Sequence, residues 1–395
     1  DGESPDGRKQ QGTRLCRHLW ACVGSIAHPF APIPRNHSLF LTEKLRVMVI
    51  GGEAMAISLE RSMELMERAV VLSLLGLGKT APNPIVGAVI TNEHGEIVAE
   101  GFHQGGPHAE IVALSNFSGQ ASTATLFITL EPCNHHGKTG PCSEAIIASG
   151  IKRVVYAEND PNPIAQGGAA RLRDAGIEVT QLSLSSAAYA NRDWLTKIEL
   201  QRPRILWKVA VSLDGAVAAM DGSSQWITNP SSRDDVKAVR DSVDAIITGT
   251  GTVIADNPTL LGASRTPLRV IVGERELGEN FEIFKAKGET IQIKSRDLTE
   301  VLHLLDQRGC NRVLVEAGPT LGTAFFNAGL VDEILFYQAP TILGSSRRFT
   351  QGLDLTSITE QKKLLDRGIE IFDGDIKRTL FADNEINRRL TCSPV

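Results

Sequence analysis

The sequence has few cysteines, few aromatic residues and no excess of positive charge. Six cysteines in 395 residues, scattered from Cys16 to Cys392, are too few for a disulfide framework, so we expect a cytoplasmic protein. Lysine and arginine number 41 against 46 aspartates and glutamates, a formal net charge of −5 that argues against nucleic acid as a partner. No apolar stretch approaches the roughly 18 residues that a membrane span needs, so no membrane partner is expected.

The length and composition predict two or three globular domains. Apolar residues make up 42% of the chain and charged residues 22%, which is ordinary for a folded protein. Residues 1–54 show no sustained periodicity and are expected to be a disordered or non-native leader. A transit or signal peptide is the alternative, but the acidic Asp1, Glu3 and Asp6 argue against it.

After the leader the pattern alternates between helix and strand. Apolar residues at helical spacing predict a helix over Ser58–Leu77. A turn-rich link predicts that the strands Ile85–Ile90 and Ile97–Phe102 form a hairpin. Further helices and strands alternate as far as Leu182, which predicts a layered α/β domain over residues 55–200.

A short polar link at 201–204 precedes a second half, and we expect a second domain over residues 201–395. It opens with a β-rich stretch, Ile205–Ala219, and continues with apolar runs such as Ala245–Thr248 between helical stretches. This alternation predicts another sheet-centred α/β domain. The last stretch, Asn384–Val395, is expected to be a polar tail.

The first half carries a histidine and two cysteines in a pattern typical of zinc sites. His108, Cys133 and Cys142 supply imidazole and thiolate groups, the ligands that zinc prefers. Three protein ligands with a fourth position open to water is the catalytic arrangement. A closed structural site is the alternative, and it would need His135 or His136 as its fourth ligand.

Glu110 lies two residues after His108 and is expected to carry a proton from an attacking water to leaving ammonia, a role that a closed site would not require. His-x-Glu followed by Pro-Cys and a second cysteine is the signature of nucleobase and cytidine deaminases. Here eight residues, not two, separate Cys133 from Cys142. This longer loop offers imidazole, ammonium and hydroxyl groups to a phosphorylated substrate.

Five motifs in one order resemble a known family. They are Ala81–Val89 (APNPIVGAV), Gly101–His103 (GFH), the His108/Glu110 pair, Glu131–Cys142 and Asp160–Pro163 (DPNP). From about Met63 to Gly344 the chain resembles the bifunctional riboflavin-biosynthesis proteins, in which a diaminohydroxyphosphoribosylaminopyrimidine deaminase is fused to a reductase.

The resemblance implies a cytidine-deaminase-like three-layer fold for the first domain and one zinc ion within it. It also implies a small phosphorylated pyrimidine as substrate, a diaminopyrimidinone with a ribosylamino phosphate. The implied pocket residues are Asn83, His103, His135, Lys138 and Asp160. Gly140 stands where the family usually has proline, which loosens the loop but leaves the ligands in place. From the residues alone, His103 either lines the pocket or caps a strand.

The second half contains a turn suited to phosphate binding. Glu316–Gly322 predicts a strand end, a glycine-containing turn and a helix start, where backbone N–H groups can bind phosphate. The turn lacks the G-x-G-x-x-G spacing, so the motif alone is weak. Lys208 and Asp214 either polarise a sugar substrate or are ordinary charges at strand ends.

The resemblance implies a dihydrofolate-reductase-like second domain that uses NADPH to reduce the ribose of the deaminated product. The residues that match the family's NADPH contacts are Ala210, Trp226, Thr252, Asp256, Gly318, Pro319, Thr320, Leu321, Gly322, Thr323 and Ala324. Those that match its substrate contacts are Ser224, Arg240, Leu260 and Glu316. The resemblance also favours a homo-oligomer.

One departure from the family concerns a phosphate-binding arginine. The family commonly places it within three residues of Leu260, whereas this chain reaches Arg265 only after Leu261–Ser264. We expect Arg265 to replace it as a substrate contact. If it does not, a monofunctional deaminase with a non-catalytic second domain is the alternative. A deaminase of nucleic-acid bases is a further alternative, but the acidic charge and the small number of aromatic residues argue against it.

Overall fold

The computed structural model describes residues 49–50, 57–136, 140–344 and 347–391. Lys138 and all of the leader except Val49 and Ile50 lie outside these ranges. Among the described residues, no helix combines the length and the apolar character needed to cross a bilayer.

The first part of the described chain forms a six-stranded mixed sheet in the order β1-β6-β5-β4-β2-β3. Its strands are β1 (Val49–Ile50), β2 (Gly87–Thr91), β3 (Ile97–Phe102), β4 (Thr125–Leu130), β5 (Arg153–Glu158) and β6 (Glu178–Leu182). The accompanying helices are α1 (Leu59–Leu74), α2 (Ala109–Asn116), α3 (Cys142–Ser149), α4 (Gly168–Asp174), α5 (Ser185–Ala190) and α6 (Arg192–Leu200). Strands β4, β5 and β6 are parallel, while β2 pairs antiparallel with both β3 and β4.

Helices cover both faces of this sheet, so it is the middle of three layers. Successive residues of a strand point to opposite faces. In β4, Leu126 and Ile128 belong to the apolar cluster that contains residues of α2, α3 and α4, whereas Phe127 belongs to the cluster of α1 and α5. Burial on both faces explains why every residue of β4 is buried.

The second part forms, within the described ranges, an eight-stranded sheet in the order β11-β10-β9-β12-β7-β13-β16-β15. Its strands are β7 (Arg204–Val211), β9 (Ala245–Gly249), β10 (Leu268–Val272), β11 (Thr290–Ile293), β12 (Arg312–Val315), β13 (Glu333–Gln338), β15 (Leu364–Phe372) and β16 (Asp375–Ala382), and a small pair is made by β8 (Ala216–Ala218) and β14 (Arg347–Arg348). Helices are α7 (Pro230–Asp241), α8 (Thr250–Asp256), α9 (Glu282–Lys285), α10 (Leu298–Gln307), α11 (Pro319–Asn327) and α12 (Glu385–Thr391). The strands from β11 to β13 are parallel, and β16 and β15 add an antiparallel edge.

The prediction of a polar tail from Asn384 is wrong, because α12 occupies most of it. Ile386 and Leu390, four residues apart, are buried, and Asn387 is fully buried. The Asn387 amide donates to the Asp332 carbonyl and its oxygen accepts from the Arg204 guanidinium. Two apolar residues among many charged ones are too few to predict a helix from the sequence. Tertiary contacts such as those of Asn387 stabilise it instead.

A buried ion cluster joins α6 to the second sheet. The Asp193 carboxylate lies 3.0 Å from an Arg312 nitrogen and 3.7 Å from Arg204, while Glu333 lies 3.6 Å from Arg204 and 3.5 Å from Arg192. Burial opposes ionisation of Asp193 and Glu333, but the surrounding guanidinium groups offset it and lower the pKa of both carboxyls. The cluster is therefore charged at neutral pH.

We expect Asp193→Ala to lower the free energy of unfolding by about 3–5 kcal/mol, because it removes the ion-pair partner of the buried Arg312 and one of the two carboxylates beside Arg204. Urea unfolding followed by circular dichroism measures the change. The control is Glu64→Ala, which breaks an exposed pair with Arg61 and is expected to cost less than about 1 kcal/mol. Equal effects of the two substitutions would contradict a special role for the cluster.

Candidate active sites

Three secondary-structure ends bring the expected zinc ligands together. His108 is the residue before α2, Cys142 opens α3, and Cys133 follows the C-terminal end of β4. Helix starts and the carboxyl ends of parallel strands share one edge of an α/β sheet, which is where such folds place ligands. Gly101 of β3 permits this approach, because a Cβ there would overlap the backbone of Ala109 and Ala113 in α2.

The distances between the three groups fit a tetrahedral zinc site. His108 Nδ1 lies 3.2 Å from Cys142 Sγ and 3.6 Å from Cys133 Sγ, and all three ligand atoms lie within 4.8 Å of one another. Zinc bond lengths to nitrogen and sulfur imply nitrogen–sulfur separations of about 3.5 Å in a tetrahedron. The three predicted ligands therefore lie close enough together to bind one zinc ion, and they offer the nitrogen and sulfur donors that zinc prefers.

The environment of Cys133 favours the thiolate, the form that binds metal. Hydrogen bonds from Cys142 and His108 lower the pKa of the Cys133 thiol to about 4, although burial opposes this change. The hydrogen bond between the two sulfurs and burial raise the pKa of Cys142. A thiolate at Cys133 is the nucleophilic, metal-binding species.

Glu110 lies in the first turn of α2, and 4% of its surface is exposed. Burial raises the pKa of its carboxyl to about 7, and the carboxyl also interacts with Cys142 and with the charge of His108. The structure thus places Glu110 directly beside the ligand group, as the sequence predicted.

Glu131 has a role that the sequence analysis missed. Its buried carboxylate accepts hydrogen bonds from the main-chain N–H groups of Asp160, Gly167 and Ala169. These bonds tie the loop that carries Cys133 to the loop of the Asp160 motif. The motif before Cys133 already contained this glutamate. Its bonds could not be predicted from the sequence, because main-chain N–H donors leave no pattern of residue types.

His103 faces the ligand group with one free acceptor nitrogen. Its ring packs edge-on against His108 with centroids 5.4 Å apart, and its Nδ1 lies 3.0 Å from the Pro107 carbonyl oxygen. Burial lowers the pKa of His103, so the ring is neutral and Nδ1 carries the proton. Its Nε2 is buried with no hydrogen-bond partner among the described residues.

Of the other expected pocket residues, Asp160 and His135 also lie near the metal ligands. Burial raises the pKa of Asp160 to about 6, while the charge of His135 lowers it and that of Cys133 raises it. His135 Nδ1 is buried and lacks a partner in the described part of the chain. Lys138 lies outside the described residues, so its expected contact stays a prediction.

Asn83 is exposed on the loop before β2. Two residues later, the main chain of Ile85 is held by two hydrogen bonds. The buried Asn191 side chain accepts from the Ile85 N–H at 3.0 Å and donates to the Ile85 carbonyl at 2.8 Å. Asn191 is a positioning residue that the sequence analysis did not identify, because it lies 106 residues from its partner.

In the second domain, the expected phosphate-binding turn has the predicted form. Strand β12 ends at Val315, Gly318 caps α11, and the Gly318 N–H donates to the Thr252 hydroxyl at 3.0 Å. This bond joins the starts of α11 and α8, whose N–H groups suit a cofactor phosphate. Gly322 lies against Trp207, where a Cβ would overlap the indole ring. The remaining turn residues are Pro319, Thr320, Leu321, Thr323 and Ala324.

Other expected cofactor and substrate contacts are brought together in pairs. The Ser224 hydroxyl donates to Asp256 at 2.7 Å, and Ala210 packs in the same apolar cluster as the buried Leu260. Trp226 is 69% exposed, with the Arg233 guanidinium 4.7 Å above its ring. The exposed indole is accessible to a ligand.

Glu316, Arg240 and Lys208 form a charged group. Arg240 donates two hydrogen bonds to the Glu316 carboxylate, at 2.6 and 3.0 Å, and the Lys208 ammonium lies 3.8 Å from it. Burial opposes ionisation of Glu316, but Arg240 and Lys208 offset this and lower its pKa. Desolvation lowers the pKa of Lys208, while the charge of Glu316 opposes this change.

Arg265 makes different contacts from those expected. Its guanidinium donates to the Asp241 carbonyl at 2.5 Å, and its main-chain N–H donates to the Asp241 carboxylate at 2.7 Å. It also lies against Gly78 of the first domain. The described contacts therefore hold Arg265 at the domain junction, and its expected contact with substrate stays a prediction.

Asp214 serves its own loop in this structure. It accepts hydrogen bonds from the Ser212 hydroxyl and from the N–H groups of Leu343 and Gly344, and these bonds lower its pKa to about 2. Of the two ambiguous charges, Lys208 is therefore the one placed beside expected substrate residues.

Comparison with known protein families supports the predictions made for both domains. A family model described as the cytidine and deoxycytidylate deaminase zinc-binding region matches residues 59–158, and one described as the RibD C-terminal domain matches residues 203–377. These matches confirm the expected fold class, a deaminase-like domain followed by a reductase domain.

Similar proteins match both domains together. Riboflavin biosynthesis protein RibD of Mycobacterium tuberculosis (strain ATCC 25618 / H37Rv) is 40% identical over 341 residues, which cover 84% of this chain and 97% of that protein. The structure of Acinetobacter baumannii RibD (form 1) superposes with a TM-score of 0.76 at 36% identity, covering 83% of this chain and all of that one. A Thermotoga maritima deaminase/reductase superposes with a TM-score of 0.77 at 33% identity, covering 82% and 99%. The chain therefore belongs to the RibD family of riboflavin biosynthesis proteins.

Proposed function

We propose that this chain catalyses two consecutive reactions of riboflavin biosynthesis. The first is the zinc-dependent hydrolytic deamination of a diaminopyrimidinone that carries a ribosylamino phosphate. The second is the NADPH-dependent reduction of 5-amino-6-(5-phosphoribosylamino)uracil at its ribose, the activity named for the Thermotoga relative. One observation supports this proposal most directly. In a chain of this family, the candidate zinc ligands converge beside Glu110; they are His108, Cys133 and Cys142. The match of the second domain to the RibD C-terminal domain does not favour the alternative of a non-catalytic second domain.

For deamination, the buried Glu110 carboxyl receives a proton and delivers it to the departing ammonia. Bound zinc is a Lewis acid that activates water for attack on the amino-bearing ring carbon. His103 Nε2, a buried acceptor, binds an N–H of the pyrimidine and fixes its orientation. Asn83, His135, Lys138 and Asp160 are proposed to complete the substrate contacts.

For reduction, the second domain positions cofactor and sugar against each other. NADPH supplies the hydride. The starts of α8 and α11 are proposed to bind its phosphates, with Ala210, Trp226 and Asp256 as further contacts. Arg240 and Glu316 are proposed to bind the sugar together with Ser224 and Leu260, and Lys208 to polarise the opened sugar through its ammonium group.

Domain boundaries at 55–200 and 201–395 are supported by the end of α6 at Leu200 and the start of β7 at Arg204. We also propose a homo-oligomer that works in the cytoplasm and takes only small phosphorylated pyrimidines as substrates. The net charge of −5 supports a protein that does not bind nucleic acid.

Glu110→Gln is expected to lower the rate of ammonia release by about 10²–10⁴-fold, because the amide cannot carry a proton. Ammonia release from the diaminopyrimidinone phosphate measures this step. Reduction of the pre-deaminated substrate, followed by NADPH absorbance, is expected to stay unchanged. Undiminished deamination would refute the role of Glu110.

Cys133→Ser is expected to reduce both bound zinc and deamination, since an alcohol is a far poorer zinc ligand than a thiolate. Metal analysis of the purified protein and the ammonia assay provide the two readouts. Cys310→Ser is the matched control, because Cys310 is a buried cysteine of the second domain. Full zinc content in Cys133→Ser would contradict the assigned ligand set.

Arg240→Met is expected to lower the reductase kcat/KM by about tenfold or more, because it removes both hydrogen bonds to Glu316 and leaves that carboxylate poorly compensated. NADPH oxidation with the deaminated substrate measures the effect, and ammonia release provides the internal control. If Arg265→Met lowers reduction more than Arg240→Met does, Arg265 is the more important substrate contact after all.

A further inference from the structure

The second domain contacts the first domain at the segment that precedes the deaminase pocket. This segment, residues 76–84, links α1 to the β2 strand and contains Asn83. It also packs on the loop of His103. A Cβ at Gly76 would lie 2.7 Å from the His103 carbonyl oxygen, and one at Gly105 would lie 2.7 Å from the Lys79 carbonyl oxygen. Any shift of segment 76–84 therefore displaces the surroundings of both proposed pocket residues.

Four residues of the second domain hold this segment. The Asn311 amide donates to the Asn83 carbonyl oxygen at 3.2 Å, and Pro82 packs on Gly309. At the other end, Gly78 lies so close to the second domain that a Cβ would lie 2.8 Å from the Asp241 carbonyl oxygen and would overlap the Arg265 guanidinium.

Asn311 itself is held at the start of β12 in the second domain by its main chain. Its N–H donates to the Asp244 carboxylate at 2.8 Å, and its carbonyl accepts from the Arg204 N–H at 2.8 Å. Its side chain is buried, and within the described ranges its Oδ1 has no partner. The one bond that this side chain makes there is therefore the bond to Asn83, so the amide serves the first domain.

We infer that the second domain positions the substrate loop of the deaminase, with Asn311 and the close contact at Gly78 as positioning groups for the first reaction. This inference rests on the proposed deaminase function. Neither residue touches the metal ligands, so their effect is on substrate binding and not on zinc. A change at Asn311, the residue before β12 of the reductase sheet, then alters deamination while reduction stays the same.

The test compares two variants of the full chain in three assays: deaminase KM and kcat from ammonia release, reductase kcat/KM with pre-deaminated substrate, and bound zinc. Asn311→Leu keeps the branched shape of the side chain but removes the donor, and it is expected to raise the deaminase KM about three- to tenfold, the worth of one hydrogen bond. Deaminase kcat, reduction and zinc content are expected to stay within twofold. Gly78→Ala is expected to raise the deaminase KM by at least as much.

Gly176→Ala is the matched control. Gly78 and Gly176 both have positive φ angles, +67° and +79°, so alanine strains the backbone at either site. Gly176 has open space around its Cβ position, whereas Gly78 meets the second domain. Gly176→Ala is expected to leave the deaminase KM within twofold.

The outcomes separate the inference from the proposed function. Absence of ammonia release from the unaltered, zinc-loaded protein would refute the deaminase function itself. If the unaltered protein deaminates, an unchanged KM in Asn311→Leu overturns the inference. A parallel loss of zinc or of reduction in that variant also overturns it, because the effect is then general damage. If Gly78→Ala and Gly176→Ala raise the deaminase KM equally, the effect at Gly78 comes from backbone strain and not from the contact with the second domain.

Discussion

The ion cluster around Asp193 is the constraint on which the arrangement of the two domains depends. Helix α6 packs Leu195 against Leu130 of the first sheet and directs Asp193 to Arg204 and Arg312 of the second. Breaking a buried ion pair is costly, so a displacement of this helix that separates Asp193 from its arginines is unfavourable. The same docking brings the second domain against the loop that borders the deaminase pocket.

The metal site depends on a different principle, the common edge of helix starts and strand ends. No ligand needs an unusual backbone, because His108 and Cys142 stand at the starts of α2 and α3, and Cys133 follows β4. Glu131 then joins two loops through main-chain N–H groups and holds the edge together. The metal ligands thus stand at the ends of regular helices and strands, and a buried carboxylate outside the ligand set holds the adjoining loops in place.

Local patterns predicted most of the fold and the chemical centre of the first site. The hairpin before His103, the helix after Ser58 and the turn at Gly318 appear where spacing and turn residues placed them. The prediction failed where tertiary contacts supply the stability, as in α12, whose Asn387 is held by Asp332 and Arg204. It also could not show that Arg265 is engaged at the domain junction, since that depends on Asp241 and Gly78 lying beside it.

The sequence by itself determined the alternation of helices and strands, the grouping of His108, Cys133 and Cys142 as candidate metal ligands, and the position of the acidic Glu110 beside them. These follow from side-chain chemistry and from spacing over a few residues, which are local properties. Only the tertiary structure decided which nitrogen of His103 is the free acceptor and which residues hold segment 76–84. The Asn311 amide and the Asn83 carbonyl are 228 residues apart, and no local pattern encodes a hydrogen bond across that distance.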